Sequence, residues 1–166
     1  MRHLLLHRFP LLCFALVAGL FAPVISASPT NAPFQATILF SEQVAPGGSL
    51  PCYLVGTISG TGVATTLGAV TLASTDCINP LPPTYTSYVF SSSHVVLTAT
   101  NGDQVWATYY GVLSSQGVIT GTYVIYGGTG RNANASGSGT LQGFETIDPA
   151  TGAGTGRIHL AGTLSH

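Results

Sequence analysis

No stretch of the sequence after Pro29 repeats apolar residues at i, i+3, i+4 and i+7, the spacing that gives a helix one buried stripe. Gly, Thr, Ser and Val dominate instead, in short β-prone runs divided by turn residues. Eight strands are expected, near residues 34–40, 53–60, 63–73, 93–100, 103–113, 117–127, 136–147 and 155–164. Thr100-Asn101-Gly102-Asp103 reads as a two-residue type I′ hairpin, because Asn-Gly accepts positive φ at both central positions. Ser114-Ser115-Gln116-Gly117 and Asp148-Pro149-Ala150-Thr151-Gly152 close two more hairpins. The one long irregular stretch is expected at 74–92, which carries Asn79-Pro80 and Pro82-Pro83.

Side chains alternate across a strand, so turn length decides which residues share a face. If the turns at 100–103 and 114–117 close with an even number of residues, Val95, Leu97, Ala99, Gln104, Trp106, Thr108, Tyr110, Val112, Ile119, Tyr123 and Ile125 share one side. That side is bulky and aromatic and is taken as the interior. Leu97, Trp106, Tyr110 and Tyr123 are then the candidate ligand-binding residues, lining a pocket for an apolar or planar molecule. The same side chains could equally fill a small barrel. The opposite side, with His94, Val96, Val105, Ala107, Tyr109 and Val124, is not polar, which suggests cover by another layer or a second copy of the chain. Gly-Thr-Gly recurs at 60–62, 128–130 and 154–156. Glycines within strand patterns mark bulges and tight bends where a sheet curls on itself. The expected architecture is an all-β, eight-stranded antiparallel barrel, which abolishes sheet edges. A β-sandwich is the alternative.

Charge is scarce: four Lys and Arg and five Asp and Glu in 166 residues, 5% charged overall. All four bases are arginines, and two of them, Arg2 and Arg8, lie in the first eight residues. A chain without a basic patch cannot neutralise many phosphates, so nucleic-acid binding is excluded. The two N-terminal arginines precede an apolar run from Phe9 to Ile25 and the small residues Ser26, Ala27 and Ser28, the order of a secretory leader. A leader at 1–27 and a single domain at 28–166 follow, with cleavage somewhere within 26–28. The apolar run, broken by Pro10 and Pro23, is shorter than the ~20 residues that span a bilayer comfortably. No stable membrane anchor is expected after cleavage, and the product is expected to be secreted or periplasmic. Removal of the leader removes Cys13, leaving Cys52 and Cys77 to form one disulfide in an oxidising compartment.

Motifs for chemistry are few. Gly127-Gly128-Thr129-Gly130 follows a strand, but Asn132-Ala133-Asn134-Ala135-Ser136-Gly137 continues as turn and strand, so the loop lacks the helix that would hold a phosphate. Neither Gly48-Ser49-Leu50 nor Gly137-Ser138-Gly139 completes Gly-x-Ser-x-Gly. His94, His159 and His166 are scattered, and neither a metal site nor a cofactor is expected. Arg131 is expected to pair with an acid or cap turn carbonyls. Glu145 is the one candidate catalytic residue. It shares strand parity with Leu141 and Ile147, so it points either inward, where desolvation would raise its pKa and suit proton transfer, or into solvent at the rim.

The stretch Val124-Ile125-Tyr126-Gly127-Gly128-Thr129-Gly130-Arg131-Asn132-Ala133-Asn134-Ala135-Ser136-Gly137-Ser138-Gly139-Thr140 resembles a signature of the allene oxide cyclase-like and dirigent-like barrel proteins, in particular their small exported bacterial relatives. Gly62-Val63-Ala64-Thr65-Thr66-Leu67-Gly68, Ala99-Thr100-Asn101-Gly102-Asp103 and Ala107-Thr108-Tyr109 are similar to further stretches of those relatives. Asn132 stands where they usually carry an aromatic residue, and Asn134 where they usually carry Gly. The resemblance implies a calycin-like barrel with an apolar lumen, often assembled into homo-oligomers; it assigns no catalytic residue here. Three functions follow as expectations. The first is a non-enzymatic exported barrel that binds a small apolar ligand or serves as a structural or interaction module. The second is a cofactor-free isomerase or cyclase of the allene oxide cyclase type, which needs Glu145 or a histidine inside the lumen. The third is a carbohydrate-binding module, which needs Trp106 or the tyrosines on one outer surface.

Overall fold

A computed structural model describes residues 31–47 and 51–165. The expected leader lies outside the described residues. Eight strands follow one another in chain order: β1 (Ala32–Pro46), β2 (Leu54–Ala64), β3 (Gly68–Pro80), β4 (Tyr88–Ala99), β5 (Gln104–Leu113), β6 (Val118–Gly128), β7 (Gly137–Ile147) and β8 (Ala153–Leu164). Each pairs antiparallel with its sequence neighbours, and β1 closes the cylinder against β8, so that Ile38 sits between Gly62 of β2 and Ile158 of β8. The barrel is closed and a sandwich is excluded. Every expected strand is present. A single 3-10 turn at Gly130–Asn132 is the one helical element among the described residues.

The turn at 100–103 differs from the expectation, and the difference matters. Gly102 has φ of 87°, whereas Asn101 is not in the positive region. Gly102 N–H donates to Ala99 O, Ala99 N–H donates to Asp103 O, and the last ladder pair is Thr98 with Gln104. This is a type I turn followed by one left-handed glycine, which leaves an odd number of residues between paired positions. The next hairpin repeats it: Gly117, at φ 81°, donates to Ser114 O, and Ser114 N–H donates to Val118 O. Two odd turns invert β5 and restore β6. Val105 and Ala107 face inward and Trp106 and Tyr110 face outward, whereas the inward placement of Val95, Leu97, Ile119, Tyr123 and Ile125 stands.

The stretch expected to be irregular at 74–92 is also corrected. β3 runs on to Pro80 and β4 begins at Tyr88, which leaves only 81–87 between them. Ser74, Asp76 and Ser92 are buried at the inward positions of these strands. They interrupt the apolar alternation that a strand reading depends on.

One half of the lumen is packed solid. Phe34, Ile38, Val105 and Leu164 are fully buried there, and Phe34 meets Tyr123 edge-to-face with ring centroids 6.2 Å apart. Only about 20 Å³ of free space remains among Leu97, Tyr123 and their neighbours. The other half is built differently.

Candidate functional site

Toward the end that carries the 114–117 and 148–152 turns, the lumen widens into a cavity of about 820 Å³. Phe40, Leu72, Ile78, Phe90, Leu141 and Ile158 form apolar walls, and exposed turn residues such as Gln116 and Thr151 surround the mouth. With the far half filled, a molecule would enter from this end alone. An apolar hollow of this size, closed at its base, suits a small organic ligand.

Strand alternation aims three acids into this cavity. Glu42 continues the inward series Phe34, Ala36, Ile38, Phe40 on β1; Asp76 continues Val70, Leu72, Ser74 on β3; Glu145 follows Leu141 on β7. Three of the chain's five acids therefore meet inside the barrel, at 7%, 4% and 6% exposure respectively. Tyr109 of β5 joins them, because the odd turns that expel Trp106 bring Tyr109 inward.

Two sub-clusters result. Tyr109 OH donates to Asp76 Oδ1, and Ser74 Oγ lies 3.1 Å from Asp76 Oδ1, 2.9 Å from Ser92 Oγ and 3.0 Å from Tyr109 OH. The Glu42 and Glu145 carboxyls are hydrogen-bonded to each other, which requires a proton on one of them. Oε1 of each has no hydrogen-bond partner. Glycines opposite leave space for both groups. A β-carbon at Gly56 would overlap Glu42 Oε1, and one at Gly154 would stand 2.6 Å from Glu145 Oε1.

Burial dominates the titration of this cluster. It raises Glu42 to about 9, reinforced by the hydrogen bond and the charge of Glu145. Asp76 rises to about 7, because burial outweighs the lowering effect of the Tyr109 and Ser74 hydrogen bonds. Glu145 is raised by burial and by the charge of Asp76, against the opposing hydrogen bond that Glu42 donates. The Tyr109 hydroxyl is pushed well above its ordinary value, by burial first and by Asp76 second. Near neutrality the site thus holds Glu42 protonated and Asp76 poised between its two forms.

The chain matches no known family model and no curated protein. The site is accordingly read from its own chemistry.

Of the residues singled out in the sequence, Glu145 is in the lumen and does not project into solvent at the rim. Leu97 and Tyr123 point inward but lie in the packed half, away from the large cavity. Trp106 and Tyr110 are outside the barrel, Tyr110 at 57% exposure. Trp106 instead joins His94 and Tyr126 on the outer wall, with His94 Nδ1 2.5 Å from Tyr126 OH and Trp106 Nε1 donating to Gln104 Oε1 at 3.0 Å. Cys52 and Cys77 are disulfide-bonded, with Cα atoms 5.0 Å apart. Arg131 both pairs with Asp103, at 3.6 Å, and donates to Thr66 O. Among the described residues no group of three His, Cys, Asp or Glu is arranged to hold a metal ion, and no helix is long and apolar enough to cross a membrane.

Glu42, Asp76 and Tyr109 were not singled out in the sequence. The first two carried a usable signal, since each keeps the parity of an apolar alternating run. The expected strands end at 40 and 73, just short of them. Tyr109 depended on turn geometry.

Proposed function

We propose that this barrel binds a small, largely apolar molecule in its lumen, as an exported ligand-binding protein. The observation that carries this reading is the 820 Å³ cavity, apolar in its walls and closed at its base. Export is supported by the leader-like order of residues 1–27 and by the Cys52–Cys77 bridge. Membership of the allene oxide cyclase-like and dirigent-like superfamily is part of this reading and rests on the resemblance of residues 124–140. Self-association is supported by Val118, Val124, Tyr126 and Phe144, apolar side chains 46–52% exposed on the outer wall of β6 and β7. The test is titration with the neutral dye N-phenyl-1-naphthylamine. One equivalent should bind with enhanced, blue-shifted emission, and Leu54→Trp, which narrows the cavity, should weaken it. No binding, together with native mass spectrometry showing no displaceable adduct, would refute the reading.

A second reading, a cofactor-free isomerase or cyclase, is favoured by Asp76. A carboxyl that titrates at about 7 beside a hydrogen-bonded tyrosine can give and take back a proton at neutral pH. Its probe is base-catalysed ring opening of 5-nitrobenzisoxazole. A rate that rises through pH 7 and is lost in Asp76→Asn supports it; a rate equal to that of acetate buffer removes it. The carbohydrate-binding alternative has Trp106 and Tyr126 outside, as it requires. Their rings are tilted 41° to each other, however, and offer no shared plane for a sugar face.

A further inference from the structure

Three carboxyl groups share one level of the lumen, yet no described residue that lines the cavity is Lys, Arg or His. Buried acids are ordinarily matched by a cation or by hydrogen-bond donors. Asp76 has its donors in Tyr109 and Ser74. The glutamates do not. Their carboxyls bond to each other, Oε1 of each is buried without a partner, and both side chains, each more than nine-tenths buried, line the cavity. Gly56 and Gly154 clear the space these oxygens occupy, so the strands beside them are shaped to keep the carboxyls there.

The complement of two partnerless acceptors at an apolar cavity is a group with several N–H donors and a positive charge, attached to an apolar body. We propose that the lumen takes a small organic cation, an aromatic or alicyclic amine whose ammonium sits between Glu42 and Glu145. Its hydrocarbon body lies against Phe40, Phe90 and Ile158, the aromatic and aliphatic wall of the same cavity. This rests on the reading that the lumen binds a ligand, and it specifies the ligand's class. An anion meets three acids and no base. A neutral apolar molecule fills the space but leaves both oxygens unmatched, which is costly where water is excluded. No covalent bond changes: the ammonium enters with its three protons, and the proton shared by the two glutamates leaves to solvent. The groups facing that proton are Asp76 and Ser74 from β3, Ser92 from β4, Tyr109 from β5 and Tyr88 nearer the mouth. β2, β6 and β8 present Gly56, Ile119 and Gly154, none of which titrates.

The test compares three isosteric probes by calorimetry on the purified protein: 2-(1-naphthyl)ethylamine, 2-(1-naphthyl)ethanol and 1-naphthylacetate. The amine is expected to bind roughly tenfold or more tighter than the alcohol, and the acetate weakest. Glu42→Gln with Glu145→Gln should bring the amine-to-alcohol ratio close to one, with folding checked by circular dichroism. Should that variant not fold, the unaltered protein decides the matter alone. Amine binding near pH 7, repeated in buffers of different ionisation enthalpy, should release close to one proton, and alcohol binding none. Equal affinities without proton release would overturn the amine while leaving lumen binding intact. Failure of all three probes to bind would remove both.

Discussion

Glu42 lies over Gly56 on the neighbouring strand, so that the carboxyl occupies the place a side chain at 56 would take. A glycine inside a strand weakens it, and here its use is to admit a buried acid. In Gly56→Ala the new methyl collides with the free end of a flexible side chain, so the carboxyl has to move while the backbone can stay. The expected result is a folded barrel destabilised by about 1–3 kcal/mol, the ordinary cost of overpacking, with weaker binding of the naphthyl amine. Circular dichroism melts and calorimetry measure the two effects. A variant with unchanged affinity would mean that the position of Glu42 does not matter to the ligand.

Stability should fall as pH rises, opposite to the behaviour of proteins held by surface carboxylates. Glu42 goes from 4.5 to about 9 and Asp76 from 3.8 to about 7 on folding. Between those limits the folded state holds more protons than the unfolded chain, so raising the pH favours unfolding. The loss begins near pH 4, is complete for Asp76 above pH 7 and continues for Glu42 toward pH 9. Each titrating group contributes about 1.4 kcal/mol per pH unit within its window, several degrees of Tm for a domain of this size. Melting curves from pH 4 to 9 should show this slope, and Glu42→Gln should flatten its alkaline part. A Tm that rises toward pH 9 would contradict the buried placement of the acids.

The disulfide holds the start of β2 to β3 at the rim of the cavity. Cys77 is paired with Val55, and Tyr53 N–H donates to Asn79 Oδ1 beside it. With a sequence separation of 25, chain-entropy arithmetic gives about 3 kcal/mol. Reduction, or Cys52→Ser with Cys77→Ser, should lower Tm by several degrees. The loss should be accompanied by weaker ligand binding, because the Leu54 wall of the mouth is released with it. An unchanged Tm would mean that the ladder alone fixes this corner.

The number and order of strands were legible in the sequence because turn residues punctuate the chain and no helical period competes. What escaped was parity at two turns and polarity at three inward positions. Asn101-Gly102 supports either a two-residue or a three-residue turn, and only the backbone angle of Asn101 separates them. Ser74, Asp76 and Ser92 face inward and are polar, so the pattern that marks a strand is absent where the site is built. Glu42 lies two residues past the expected end of β1, at residue 40, for the same reason. Polar residues at inward positions break the local rules by which strands are recognised. Charge is scarce in the chain as a whole. Three of five acids converge inside the barrel, so scarcity on the surface coexists with concentration in the lumen.

Trp106 gives that inversion of β5 a direct optical test, since it is the single tryptophan of the chain. It sits outside the barrel, partly covered, with its indole N–H engaged by Gln104 and with His94 at a ring-centroid distance of 6.0 Å. A three-residue turn at 100–102 puts it there; a two-residue turn would put it in the core. Acrylamide should therefore quench its emission readily in the folded protein, at a substantial fraction of the unfolded value. A core tryptophan would be shielded from acrylamide. That result would return Tyr109 to the outer wall and take Asp76's hydrogen-bond partner out of the lumen.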